Sequence, residues 1–220
     1  MLNILIYSYL IFPVVLLLLK GKLKDVFFAM IVLYGLTFFT LIFINDIVPR
    51  NIKKYYHGFY TLVEYSFFTL IFWFNIHNKT YKRFAIIVTV LFFIFEIIYV
   101  LNARLQRLDS VPIGIETILI FIFVFCFFYD FSRTVKDTYI YNHYCFWLSV
   151  GILIYLGGSF FYYILVNDLD EKDVEKFGEL TYVAELVKNL LFVVAMFVYK
   201  KYTLRKIHPK KIPNLDMNMI

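Results

Sequence analysis

Five ionisable side chains lie inside long apolar runs of this sequence, where a charge is costly. They are Glu64, Glu96, Glu116, Glu185 and Lys188. On insertion scales a charge near the centre of a bilayer costs about 2.5–3.5 kcal/mol, so such groups usually face a protein interior and have partners there. Glutamates and a lysine in this setting can form ion pairs, exchange protons or hold a cationic or hydrogen-bonding ligand. We therefore predict that they line a ligand or ion pocket.

The spacing of these residues favours different roles for different members. Glu185 and Lys188 are three residues apart, so they share a helix face and can pair. Glu64 has no basic residue at pairing distance in its own run, and it must meet another helix, water or a proton. We expect Glu64 to be the strongest single functional candidate. Glu116 lies only four residues inside its run, where a carboxylate that reaches toward lipid headgroups is an equally good explanation.

Neutral polar residues extend the predicted pocket. Tyr60, Tyr99, Ser159 and Tyr162 lie at similar depth in the same runs. Gly157 and Gly158 interrupt the sixth run, and we favour close helix packing over a flexible bend as their role.

Known catalytic and metal-binding motifs do not occur in the chain. There is no HExxH, GxGxxG, phosphate-binding loop or GxSxG pattern. Cys126 and Cys145 lack a CxxC arrangement and lie in or beside apolar runs, as buried thiols do. We therefore assign no catalytic residue, metal ligand or cofactor, and expect a protein that is not an enzyme.

The composition predicts the class of protein that must position these side chains. Of 220 residues, 62% are hydrophobic and 17% are charged, whereas ordinary globular domains have about 45–50% apolar and about 25% charged residues. The continuous apolar runs match the roughly 20 residues that a helix needs to cross a bilayer. We predict an all-α polytopic membrane protein with no soluble domain: a seven-transmembrane-helix bundle over 1–199 and a basic tail over 200–220. The predicted spans are 2–19, 26–44, 56–76, 84–101, 112–129, 145–166 and 180–199.

The distribution of Lys and Arg predicts the orientation. The tail and the loops after the first, third and fifth spans are together richer in Lys and Arg than the loops on the other side. The positive-inside rule then places the N-terminus outside and the C-terminus in the cytoplasm of an inner (plasma) membrane. At about 1.5 Å of rise per residue, Glu64 and Lys188 lie about 12 Å below the outer face. The predicted pocket is thus in the outer half of the bundle.

Several runs resemble a group of bacterial proteins. HGFYTLVEYSFFTLIFW, IETILIFIFVFCFFYDF, YCFWLSVGILIYLGGSFFYYIL and ELVKNLLFVVAMFVYKK are similar to small seven-helix membrane proteins that resemble the sensor regions accompanying histidine kinases. The resemblance implies a Tyr-rich third span with a Glu, at Glu64, a Glu early in the fifth, at Glu116, and a Phe-Trp pair, at Phe146 and Trp147. Lys188 departs from that pattern, and no catalytic activity follows from it.

Three functional classes remain open. We favour a receptor-like or signalling membrane protein. The alternative is a proton-coupled small-solute transporter, or an oligomeric channel, that uses Glu64. A retinal-binding protein, a lipid-modifying enzyme and a membrane effector of a bacterial defence system are remote alternatives. The partners we expect are anionic lipid headgroups, a cytoplasmic signalling protein and further copies of the chain in a homo-oligomer. The net charge of +6 lies in short clusters beside the spans, so we do not expect nucleic acid.

Overall fold

The described part of the protein is built of helices. The computed structural model describes residues 2–45, 47–49, 52–102, 110–134, 139–165 and 171–207, and in these residues there is no β-strand. The all-α prediction is therefore confirmed. The helices are α1 (Leu2–Ser8), α2 (Ile11–Leu18), α3 (Val26–Asn45), α4 (Lys53–Asn75), α5 (Lys79–Asn102), α6 (Ser110–Thr134), α7 (Tyr144–Leu165) and α8 (Glu171–Ile207), with a short 3₁₀ turn at Ile140–Asn142.

Four of these helices are long and apolar enough to cross a membrane. They are α3, α5, the Val111–Thr134 part of α6 and the Phe177–Lys201 part of α8. Two shorter apolar helical stretches, Ile4–Leu18 and Tyr144–Phe160, accompany them. The prediction of a membrane protein is supported to this extent, and the number of spans beyond four stays a prediction.

The first predicted span, 2–19, is interrupted at Tyr9 and Leu10, between α1 and α2. The cause lies at Pro13, which has no N–H to donate to the carbonyl of Tyr9 and whose ring would clash with that carbonyl in a continuous helix. At the break the chain tightens: the N–H of Leu10 bonds to the carbonyl of Tyr7, three residues back, at 3.1 Å. The side chain of Tyr9, which lies at this break, is completely buried.

Helix α3 packs closely against this break. A Cβ placed on Gly35 would lie 2.8 Å from the carbonyl oxygen of Tyr9 and 2.4 Å from the ring of Phe12. Any larger residue at Gly35 would push the break away from the bundle.

The last predicted span, 180–199, lies within a much longer helix. Helix α8 has 37 residues, and it includes the first residues of the predicted tail. The remainder of that tail, 208–220, and residue 166 of the predicted sixth span lie outside the described residues. Among the described helices, α7 and α8 form the most extensive pair, and α4 packs against both α5 and α6.

The bundle has an aromatic interior and an apolar exterior. Its core includes the fully buried rings of Tyr34, Phe38, Phe68 and Phe192. Large apolar side chains are also exposed around the outside, and on α5 they follow one another along the helix: Ile86, Ile87, Val90, Leu91, Ile94, Ile97 and Ile98. Such an exterior is typical of helices that face lipid.

Candidate functional site

The structure buries Lys188 completely and gives its ammonium two polar partners. Its Nζ lies 3.7 Å from Oε1 of Glu185, one turn earlier on α8, at the i,i+3 spacing that favours a pair. Nζ also donates to the hydroxyl of Tyr9 at 3.4 Å. The Tyr9 hydroxyl in turn donates a short hydrogen bond to Oε1 of Glu185. These three residues therefore form a closed triangle between α8 and the break that follows α1.

Four aromatic rings surround the same ammonium. Its Nζ lies 3.8 Å from the ring centroid of Tyr155, 5.4 Å from Tyr34, 5.6 Å from Tyr9 and 5.9 Å from Phe68. We call these four residues the Lys188 cage. A cation within about 6 Å of a ring centroid is attracted by the ring quadrupole, and more strongly where water is excluded. The rings come from the α1–α2 break, α3, α4 and α7, so one charge holds four parts of the bundle to α8.

Two glycines allow α7 to approach α8 closely enough for the ring of Tyr155 to contact Lys188. A Cβ on Gly151 would lie 3.3 Å from the backbone oxygen of Lys188, and a Cβ on Gly158 would lie 3.0 Å from Cβ of Ala184. Gly151, Tyr155 and Gly158 share one face of the helix, since they are four and three residues apart. Close approach at both glycines therefore places the ring of Tyr155 on Lys188.

The two glycines of the predicted pair, Gly157 and Gly158, differ in how closely they pack against other helices. Helix α7 runs unbroken through Gly157 and Gly158. Gly158 lies against α8, whereas a Cβ on Gly157 would meet Phe121 at an ordinary 3.9 Å. The close-packing interpretation fits the geometry of Gly158.

Glu64 approaches the cage from α4. It is 5% exposed, and its Oε2 accepts a hydrogen bond from the hydroxyl of Tyr155 at 3.3 Å. Tyr155 thus contacts Lys188 with its ring and Glu64 with its hydroxyl. The second oxygen, Oε1, is buried and has no hydrogen-bond partner in the described part of the chain. Glu64 is also in electrostatic range of Lys188 and Glu185.

Two further buried glutamates extend this region toward α5 and α6. Glu96 and Glu116 are each 1% exposed. Glu116 interacts electrostatically with Glu64, Glu96 and Lys188, and its Oε1 has no hydrogen-bond partner among the residues described. Oε1 of Glu96 lies beside Gly58 of α4, 3.2 Å from where a Cβ would stand. We call Glu64, Glu96 and Glu116 the acidic arm.

The charges of this interior do not balance. The acidic arm and Glu185 provide four buried carboxyl groups, and Lys188 is the one buried basic residue in the described ranges. One ammonium neutralises one carboxylate. Glu64 and Glu116 each keep a buried oxygen with no hydrogen-bond partner in the described residues, so these two carboxyls must carry protons or meet another cation, because an unpaired buried charge is strongly disfavoured.

The remaining predicted residues have different surroundings. Tyr60 lies beside the cage, with its ring 5.2 Å from that of Phe38. Ser159 is buried, but its Oγ donates to the backbone oxygen of Tyr155 at 2.8 Å and so serves its own helix. Tyr99 packs on Phe95 of its own helix, with 5.6 Å between ring centroids. Tyr162 lies near Gly178, where a Cβ would be 3.8 Å from its hydroxyl.

The sequence analysis did not select the aromatic members of the site. Tyr9, Tyr34, Phe68 and Tyr155 are four among 19 Tyr and 27 Phe, and no pattern separates them from the others. Asn189 was also missed, although its position next to Lys188 in an apolar run is a usable signal. Its Nδ2 donates to Oγ of Ser8 at 2.8 Å, which adds a second polar link between α8 and α1.

A separate polar cluster lies at the other end of the bundle. Asp130 of α6 accepts the backbone N–H of His77 at 2.6 Å and thereby ties the α4–α5 turn to α6. His143, just before α7, packs against Phe131 and Tyr144. Burial, aided by the charge of His77, lowers the pKa of His143 to about 4. Within the described ranges, no group of three or more His, Cys, Asp or Glu is arranged to hold a metal ion.

Comparison of the chain with protein-family models, with curated proteins and with solved structures finds no significant match. The resemblance to seven-helix sensor regions therefore stays a prediction, and any functional inference must come from the site itself.

We predict that Glu185 and Lys188 are energetically coupled. Lys188→Met leaves Glu185 buried without its cation, and Glu185→Gln leaves Lys188 without its anion. Removal of one partner of a buried pair costs about 3–5 kcal/mol. The loss of unfolding free energy in the double variant should be smaller than the sum of the losses in the two single variants, with a coupling energy of about 0.5–3 kcal/mol. Unfolding of the detergent-solubilised protein measures this cycle.

Lys201→Met is the matched control for that cycle. Lys201 is exposed on the same helix, and its substitution should change the free energy of unfolding by no more than about 0.5 kcal/mol. Strict additivity of Lys188→Met and Glu185→Gln would contradict the coupling.

We also predict that His143 makes the protein less stable in acid. Its pKa is about 4 when folded and about 6.5 in an unfolded chain. Between these values the unfolded state binds more protons, so stability falls as the pH falls from about 6.5 to about 4, by up to about 3 kcal/mol. His143→Gln should remove this part of the pH dependence in unfolding measurements at pH 4.5 and 7.5. If the free energy of unfolding differed between pH 4.5 and 7.5 by the same amount in His143→Gln as in the wild type, His143 would not be the source of the acid sensitivity.

Proposed function

We propose that the chain is an integral membrane protein with seven spans, in which α1 and α2 together form the first. The apolar exterior and the four long apolar helices support this arrangement. Helix α4 is not one of those four. Its crossing is supported by its connection to α5, which is only Ile76–Asn78. With so short a connection, the packing of α4 against α5 and α6 lays it alongside two helices that are long and apolar enough to span, so we infer that it crosses with them.

The distribution of Lys and Arg supports an outside N-terminus and a cytoplasmic C-terminus in the inner membrane. Cation–π pairs lie near both ends of the bundle, with Lys54 5.2 Å from the ring of Tyr55 at the end placed outside and Lys82 4.7 Å from that of Trp73 at the end placed inside, so they indicate the two interfaces and not the orientation. Aromatic and basic side chains are enriched at membrane interfaces. The Lys188 cage then lies in the outer half of the bundle.

We predict that a reporter fused after Ile220 is active in the cytoplasm, because the inner loops and tail carry the excess of Lys and Arg. Fusions of a periplasmic and a cytoplasmic reporter at the same position, at equal expression, measure the orientation. Activity of the periplasmic reporter would show that the orientation is the reverse, with the Lys188 cage in the cytoplasmic half of the bundle.

We propose that the protein is receptor-like: occupancy or protonation of the buried polar cluster changes the packing of the helices, and a cytoplasmic partner detects that change. The observation that carries this proposal is the set of contacts of Lys188. Its ammonium touches side chains from the α1–α2 break, α3, α4 and α7. A change of charge near it must be accommodated by all of these parts, because packed interiors rearrange between discrete states.

The charge imbalance distinguishes this cluster from a purely structural ion pair. Glu185, Lys188 and Tyr9 already satisfy one another, whereas Glu64 and Glu116 each keep a buried oxygen with no hydrogen-bond partner in the described residues. A structure that needed only an anchor would not require these further carboxyl groups. The acidic arm is therefore the part of the cluster to which we assign the response.

The second candidate function is proton-coupled transport. It is favoured by the succession of protonatable groups from Glu185 on α8 through Glu64 on α4 to Glu116 on α6, each within electrostatic range of the next. A proton flux into proteoliposomes that the wild type supports and Glu64→Gln lacks would favour this alternative.

We predict that Glu64→Gln leaves the fold nearly intact but abolishes the response. The chain has two tryptophans, Trp73 and Trp147, and both lie near helix ends at the inner side. Trp73 lies about nine residues, or roughly 13 Å, from Glu64 along α4. In lipid nanodiscs, the tryptophan emission of the wild type should change between pH 5 and 8. The amide keeps the volume of Glu64 and removes its titration, so that part of the change should disappear.

Glu179→Gln is the matched control, because Glu179 is exposed at the outer part of α8. It should keep the wild-type emission profile. A Glu64→Gln protein with normal expression and the same profile as the wild type would reduce Glu64 to a structural residue.

A further inference from the structure

We propose that the ligand of this site is a small organic cation, a primary alkylammonium, that binds beside Lys188 between the Lys188 cage and the acidic arm. This inference rests on the proposed function and names its ligand class. Lys188 itself shows what the site recognises, since its side chain is a primary alkylammonium held within the protein.

The contacts of Lys188 form a complete set for recognition of an ammonium group. The cage provides ring faces at 3.8 to 5.9 Å, Glu185 provides a carboxylate at 3.7 Å and Tyr9 provides a hydroxyl acceptor at 3.4 Å. Ring faces attract ligand cations, as in the aromatic cages that bind quaternary ammonium groups, and a carboxylate adds the charge-assisted hydrogen bond that an N–H donor needs. An anion would instead meet the negative faces of the rings and four carboxyl groups.

The acidic arm provides the counter-charge for a second cation. The ammonium of Lys188 pairs with Glu185 at 3.7 Å, and one ammonium cannot also neutralise both Glu64 and Glu116. Oε1 of Glu64 and Oε1 of Glu116 are buried acceptors without a hydrogen-bond partner in the described ranges. An ammonium group has three N–H donors and no acceptor, so it matches these oxygens.

The alkyl part of the ligand follows from the other side chains nearby. Phe68 and Phe192 are fully buried close to the ring of Tyr34, so the surroundings of the charged groups are apolar. A hydrated inorganic cation would lose its water in such a place, and the described residues offer no cluster of three metal-ligating side chains in exchange. An organic cation buries its alkyl chain there.

The test compares three solutes of stated chemistry on the full-length protein in nanodiscs. They are n-propylammonium chloride, the neutral isostere 1-propanol and potassium chloride. We expect n-propylammonium to raise the thermal midpoint of the wild type by about 3 °C or more in a saturable manner. The two other solutes should have no saturable effect, and Glu64→Gln should abolish the effect of n-propylammonium.

Lys188→Ala provides a sharper version of the test. It removes the propylammonium end of the side chain, together with its repulsion of a second cation, and leaves the cage in place. The concentration of n-propylammonium that gives half of the stabilisation should fall at least about tenfold relative to the wild type, which corresponds to about 1.4 kcal/mol. Lys201→Ala, an exposed lysine of the same helix, should leave that concentration unchanged.

The outcomes separate this inference from the proposed function. Equal effects of 1-propanol and n-propylammonium, or no effect of either on the wild type, would overturn the ligand class, whether or not Lys188→Ala folds. If pH changes the tryptophan emission but n-propylammonium does not bind, the receptor-like function stands and the ligand class is wrong. If n-propylammonium binds and Glu64→Gln abolishes binding, but emission at the inner end never changes, the ligand class stands and the receptor-like function is wrong.

Discussion

The burial of the Lys188 ammonium is the constraint on which the rest of this bundle depends. An isolated ammonium in an apolar interior is too costly to persist, so the fold must bring partners to it from several helices. Glu185 comes from the same helix, Tyr9 from the break after α1, and Tyr155 from α7. The close approach of α7 at Gly151 and Gly158 serves the same end, because a wider separation would withdraw the ring of Tyr155 from the charge.

The break at Tyr9 shows how a backbone feature serves a polar contact. Pro13 prevents the normal hydrogen bond to the carbonyl of Tyr9, and the chain turns there. Gly35 of α3 leaves space for the carbonyl of Tyr9, because a Cβ there would lie 2.8 Å from that oxygen. The hydroxyl of Tyr9 then reaches both Glu185 and Lys188. In a continuous helix over 2–19, the side chain of Tyr9 would have a different position and direction. The contacts of Tyr9 with Glu185 and Lys188 therefore depend on the interruption of the helix.

Local features of the site were predictable from the sequence, and its long-range partners were not. The apolar runs predict helices, and the three-residue spacing predicts that Glu185 and Lys188 lie together, since both follow from the geometry of one helix. The partner of Glu185 at the α1–α2 break, Tyr9, is 176 residues away, and the ring on Lys188 belongs to one of 19 tyrosines. Such pairings depend on how helices pack, which the pattern of a single helix does not contain. The length of α8 was missed for a related reason: hydropathy marks its apolar part and not its polar ends.

The polar interior therefore has two parts with different physical properties. In the triangle of Lys188, Glu185 and Tyr9, each group satisfies the others, and any change there breaks several contacts at once. In the acidic arm, Glu64 and Glu116 hold buried oxygens for which the described residues provide no donor. A proton or a cation can be added to the arm without loss of an existing hydrogen bond at those oxygens. Tyr155 contacts both parts, through its ring and its hydroxyl. A change at Glu64 thus has a direct route to Lys188, and through the cage to the helices that Lys188 holds together.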